Sequence, residues 1–135
     1  MTYWTLTESD IDRIAIGVGI LGTGGGGSPY LQLLIAKQML REGKRIRMIR
    51  PRDLTDDAQI IGLGSIGAPT VSIEKMEEGH EGVRVLKAIE AHTGRRIDAL
   101  LGDEVGGGNG IYPMITAARL DLPVVDADGM GRAFP

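Results

Sequence analysis

The acids that sit beside small residues are the groups in this chain best suited to chemistry. Glu104 opens the run Glu104-Val105-Gly106-Gly107-Gly108-Asn109-Gly110. Asp126 and Asp128 open Asp126-Ala127-Asp128-Gly129-Met130-Gly131-Arg132. Carboxylates so placed act as a general base, hold a metal ion or cap helices, and the residues alone leave all three open. Glycine lets backbone amides turn at positive φ and approach a ligand closely, at a cost in folding entropy. The chain holds 21 glycines in 135 residues and concentrates them beside these acids, which reads as the construction of a site. Amides of Gly106 and Gly107, with Asn109, would hold an anion or a developing oxyanion at a strand-to-helix turn. A tight turn that needs glycine only for packing is the alternative. Arg132 would pair with one of the acids or with an anionic substrate, or else lie on the surface.

A second glycine run, Gly22-Thr23-Gly24-Gly25-Gly26-Gly27-Ser28, lies far away in sequence. It lacks the Lys-Ser/Thr ending of a phosphate loop, and a helix rather than a strand precedes it, so it is no dinucleotide fingerprint. It reads as a helix-to-helix loop whose Gly24, Gly25 and Gly26 line a binding pocket, with Ser28 capping the next helix. His80 and His92 lack a metal-ligand partner at useful spacing. Ser65 has no nearby His and no nucleophile elbow around it.

These groups must be positioned by regular elements. Thr7 precedes Glu8-Ser9-Asp10 as a helix cap, and Ile11, Ile14, Ala15, Val18 and Leu21 recur at helical spacing. Gly17 and Gly19 make a strand over residues 15–21 the rival reading. Pro29 starts a helix over residues 30–41 that is apolar on most sides, which predicts burial all round, and Gly43 ends it. Residues 45–49 and 59–66 read as strands, with a polar connector between them. Residues 70–81 are unassigned. A helix over residues 82–93 turns Val83, Leu86 and Ile89 inward and stops at Gly94. Residues 97–101 form a strand that runs into the second glycine loop. Asn109 caps a helix to about Leu120, with Pro113 in its first turn. Residues 122–125 form the last strand.

Alternation of strand and helix from residue 44 onward predicts an α/β layered fold with a largely parallel sheet flanked by helices. In such a sheet ligands bind beyond the carboxyl ends of the strands. Residues 62–65, 103–107 and 126–128 all fall there, and they converge if their strands are neighbours.

Composition removes whole classes of function. A net charge of −3 with only small clusters of Lys and Arg argues against a nucleic-acid partner. The run 44–50, where basic residues alternate with apolar ones, reads as a half-exposed strand. The absence of cysteine excludes disulfides and thiolate metal sites and fits a reducing cytoplasm. No stretch has the length of a membrane helix, and no signal peptide is evident. Cofactor and metal requirement are not readable from these residues. The partners expected are a small-molecule substrate, neither nucleic acid nor membrane, and in addition a second copy or an enzyme partner.

Four motifs, in order, resemble the N-terminal domain of the S-methyl-thiohydantoin desulfurase-like proteins, a family associated with hydantoin utilisation. They are Leu21-Gly22-Thr23-Gly24-Gly25-Gly26-Gly27-Ser28-Pro29-Tyr30, then Gly67-Ala68-Pro69 with Glu74-Lys75, then Glu104-Val105-Gly106-Gly107-Gly108-Asn109, and last the stretch from Leu122 to Pro135. The resemblance implies an α/β domain followed in full-length members by a β-rich one, so that this chain corresponds to the first part of a two-domain protein. It also implies hydrolytic desulfuration, or a related hydrolysis, of a small cyclic amide of the hydantoin or S-methyl-thiohydantoin type. Glu104 or Asp126 would then be the base, the amides of residues 106–108 and Asn109 would hold the ring's amide edge, and Arg132 or Asp128 would orient it. A non-catalytic subunit that binds a hydantoinase- or oxoprolinase-type partner is the second reading, and a nucleotide- or phosphate-binding module the third.

Overall fold

A computed structural model describes residues 2–131. The chain runs β1 (Tyr3–Thr5), α1 (Glu8–Gly22), α2 (Tyr30–Arg41), β2 (Arg47–Ile49), β3 (Ile60–Leu63), α3 (Pro69–Glu74), α4 (Glu81–Thr93), β4 (Ala99–Gly102), α5 (Tyr112–Leu120) and β5 (Pro123–Asp128). Single 3₁₀ turns occupy Pro51–Asp53 and Gly107–Gly110. The strands form one sheet in the order β1-β2-β5-β4-β3, in which only the β1–β2 pairing is antiparallel. The expected α/β fold with a largely parallel sheet is therefore the fold observed.

Local chemistry explains most of the elements. At the start of α1, Asp10 N–H donates to Thr7 Oγ1 and the Asp10 carboxylate accepts from Thr7 N–H, a reciprocal cap that decides for helix over strand despite Gly17 and Gly19. Gly94 ends α4 in the left-handed conformation. Within α4, Leu86 is fully buried and Val83 and Ile89 half-buried, as the spacing predicts. Gly82 lets α4 approach α5, because a Cβ there would stand 2.6 Å from Thr116 Oγ1.

A large apolar cluster joins α1, α2, α4 and α5 to one sheet face through Met48, Leu100 and Val124. Alternate residues Ile49, Ala99 and Val125 point to the other face and pack against Leu54, Ile60 and Leu101. α5 is the pivot of the helical layer, with Pro113, Met114, Ile115, Thr116, Ala117 and Ala118 all buried.

Three expectations need correction. α2 is not buried all round: Tyr30, Leu31 and Leu34 are exposed, and only Ala36 and Met39 are fully covered. The strand expected over residues 59–66 stops at Leu63, because Ser65 turns away to bond Asn109. Asn109 does not cap a helix; it lies in the 3₁₀ turn Gly107–Gly110, and α5 starts after Ile111 with no side-chain cap. Sequence pattern alone assigns neither β1 nor the short α3.

Candidate functional site

β3, β4 and β5 are parallel neighbours, so the segments that follow them leave the same edge of the sheet. β4 delivers Asp103, Glu104 and Val105 there. β5 reaches it irregularly. Leu100 pairs with Val124 and Gly102 with Asp128, so β4 advances two residues while β5 advances four. Such a bulge bends a strand and re-aims its side chains. The surplus residues lie around Asp126 and Ala127, at the mouth of a hollow of about 270 Å³. Val105, Pro113, Met114 and Val124 give it apolar walls, and Asp126 and Asp128 give it acids.

The two glycine runs meet behind this edge. Gly108 N–H donates to Gly26 O at 2.8 Å and to Gly27 O at 3.2 Å. Gly107 is held at φ +63°, where a Cβ would stand 2.5 Å from the Gly26 carbonyl carbon and oxygen and from Gly27 O. Only glycine satisfies both the conformation and the spacing. A Cβ on Gly22 would in turn stand 3.0 Å from Gly107 N. The helix-to-helix loop is thus stapled onto the second run by backbone contacts.

Asn109 ties in the third segment. Its Oδ1 accepts from Ser65 N–H at 2.9 Å and from Ser65 Oγ at 3.0 Å, and its Nδ2 donates to Ser65 O at 3.1 Å. With 8% exposure it is one of the few buried polar side chains.

The residues expected to form a site therefore divide. Asp126 is exposed, Asp128 and Glu104 are half-buried, and all three lie on the same edge. The Asp128 carboxylate accepts from Gly131 N–H. The Glu104 and Asp126 carboxylates have no partner among the described residues. Gly24 is exposed, and Gly25 and Gly26 are half-buried on the loop above. Gly106, Gly107 and Asn109 are buried, and the Gly108 amide and the Asn109 side chain are already bonded within the fold. The Gly108 amide and the Asn109 side chain thus join the segments to one another. Arg132 lies outside the described residues.

Asp103 is a site-edge residue that residue spacing does not single out, although it directly follows the strand. Its carboxylate lies over Gly62, where any Cβ would collide with Oδ1, and beside Gly129, where a Cβ would stand 3.0 Å from the same oxygen. The pairing of an acid with glycines on both flanking segments is a signal that only the strand order makes visible. Among the described residues, no group of three or more His, Asp or Glu side chains gathers closely enough to hold a metal ion. Among the same residues, no helix is long and apolar enough to cross a membrane.

A family model described as the S-Me-THD-like N-terminal domain matches residues 9–135. No curated protein matches the chain. Among solved structures, a crystal structure of a protein from Chromobacterium violaceum is similar, with a TM-score of 0.69 and 25% sequence identity. The match covers 98% of this chain and 36% of that one, so this chain spans little more than a third of its solved relative.

Proposed function

Because the chain belongs to the S-Me-THD-like N-terminal domain family, we propose that it forms part of an enzyme acting on a small cyclic amide of the hydantoin or S-methyl-thiohydantoin type. In the proposed reaction water adds to the ring carbon that bears the S-methyl group. A carbon–oxygen bond forms, the carbon–sulfur bond breaks, and the carbon is left as a carbonyl. A carboxylate takes one proton from the water and passes it to sulfur, which leaves as methanethiol, while the second water proton ends on the ring nitrogen as the carbon–nitrogen double bond becomes single.

The observation that carries this reading is the hollow at the carboxyl edge of the sheet. Its volume, about 270 Å³, is near the lower end for small-molecule pockets and suits one five-membered ring. Met114 and Val124 offer apolar contact to an S-methyl group. Asp126 lines the hollow and has no described partner, so it is our first choice as base. Glu104, next to the lining residue Val105, is the second. Asp128 already accepts from Gly131 and is better suited to orient the substrate. We assign Arg132 to the ring's polar edge. A cysteine-free chain is compatible with a reducing compartment, and the cytoplasm is the setting we propose.

A second reading, a non-catalytic subunit that binds a hydantoinase- or oxoprolinase-type partner, draws on the exposed apolar residues of α1 and α2. The nucleotide- or phosphate-binding alternative rests on the glycine loop alone, which lacks the Lys-Ser/Thr ending of a phosphate loop.

The test is thiol release from S-methyl-thiohydantoin, followed colorimetrically, with thermal shift on hydantoins and thiohydantoins as the binding readout. Asp126→Asn is expected to lower turnover by about 10²–10⁴-fold while the fold persists. Undiminished turnover would remove Asp126 from the role. Absence of both thiol release and any thermal shift in the unaltered protein would overturn the enzyme reading.

A further inference from the structure

α1 and α2 run antiparallel, and their pairing changes character along its length. At one end Arg41 Nε and Nη2 donate to the Glu8 carboxylate, and Lys37 Nζ donates to both Asp12 oxygens at 2.9 Å. Toward the other end Gly19 approaches Pro29, with a Cβ position 3.8 Å from Pro29 Cγ. Beyond the ion pairs, the outward positions turn apolar. On α1 they are Ile16 and Ile20, one turn apart and 67% and 71% exposed. On α2 they are Leu31 and Leu34, 59% and 47% exposed. Tyr30 extends the row toward the loop.

Neither helix needs these residues for the core. Ile11, Ala15 and Val18 bury one face of α1, while Ala36 and Met39 anchor α2. Single exposed aliphatics are ordinary on a protein surface, but two adjacent rows of them mark a surface that is covered in the working molecule. The strip spans little more than one turn of each helix, about 6 Å along the axis, which is shorter than the face a stable free-standing dimer needs and suits a contact between domains. The matching family is defined as an N-terminal domain, and most of the solved relative lies outside the match.

We propose that the outward face of α1 and α2 is the seat of a second folded domain, of the kind that makes up the rest of the solved relative, docking through an apolar surface of its own. The face ends at the loop that is stapled to Gly107 and Gly108, so docking would also brace that loop.

Two measurements test this. In the solved relative, the positions that superpose on Ile16, Ile20, Leu31 and Leu34 are expected to lose most of their exposure beneath the part of that chain outside the match. Finding them open to solvent overturns the proposal. In solution the 135-residue chain is expected to sediment as a monomer and to bind an apolar dye. The double variant Ile20→Glu, Leu34→Glu should keep its circular dichroism and bind several-fold less dye. Unchanged dye binding overturns the proposal. So does a discrete dimer that the variant dissolves, because the occupant would then be a second copy.

Discussion

Gly107 and Asn109, expected from the sequence to contact a ligand, also join distant segments of the fold. At Gly107 a side chain meets a left-handed backbone and the carbonyl groups of Gly26 and Gly27 together. Gly107→Ala should therefore cost about 2–4 kcal/mol, read as a fall in the urea midpoint, since backbone strain and overpacking each contribute about 1–3 kcal/mol. Asn109→Ala removes three hydrogen bonds to Ser65 at a buried position and leaves polar groups behind. It should cost about 2–3 kcal/mol and loosen residues 64–66, seen as faster amide exchange there. A loss below about 0.5 kcal/mol would show that water replaces these bonds without penalty. Residue type and spacing single out both positions. They do not reveal that Gly107 packs against the Gly26 and Gly27 carbonyls or that the Asn109 side chain bonds Ser65, since that depends on which distant segments become neighbours.

Among the elements, α1 is the one whose start is written most completely in its own residues. The Thr7–Asp10 box satisfies two backbone N–H groups at once. Thr7→Ala should lower stability by about 1 kcal/mol, measured by urea denaturation. The same end carries a pH dependence. The hydrogen bond from Arg41 holds the Glu8 carboxyl below its usual 4.5, and the hydrogen bonds from Thr7 hold Asp10 below its usual 3.8. A depressed carboxyl contributes stability above its unfolded value and loses it as pH falls through the folded value. The urea midpoint should therefore drop on acidification below about pH 4, and Asp10→Asn should flatten that drop. An identical acid limb in the variant would mean that the bonds seen here carry no linkage. α2 teaches the opposite lesson. Its composition reads as a helix buried all round, yet one side faces out, because periodicity counts apolar positions and says nothing about what covers them.

For the molecule as a whole, the order of stability should follow the layers. β4 and β5 sit at the centre of the sheet with helices against Leu100 and Val124, whereas α3 is six residues long, with Val71 and Ile73 exposed. Native-state hydrogen exchange should find the slowest amides around Leu100 and Val124 and the fastest among the helices in α3. Protection in α3 equal to that in β4 would contradict this layering. The same arrangement governs the site. β3, β4 and β5 lie side by side, which is why acids more than 20 residues apart in sequence share one edge.

Local rules were enough for the sequence to determine the four longer helices, most of the strands, the caps at Thr7 and Gly94, the α/β class and the family, because each rests on short-range spacing or on a contiguous motif. Strand order, the bulge that turns Asp126 toward the hollow, and the closure of one glycine run on the other were decided only by the tertiary structure. Each of those depends on which distant segments become neighbours, and that choice is made by the burial of the whole sheet face rather than by any stretch of residues alone.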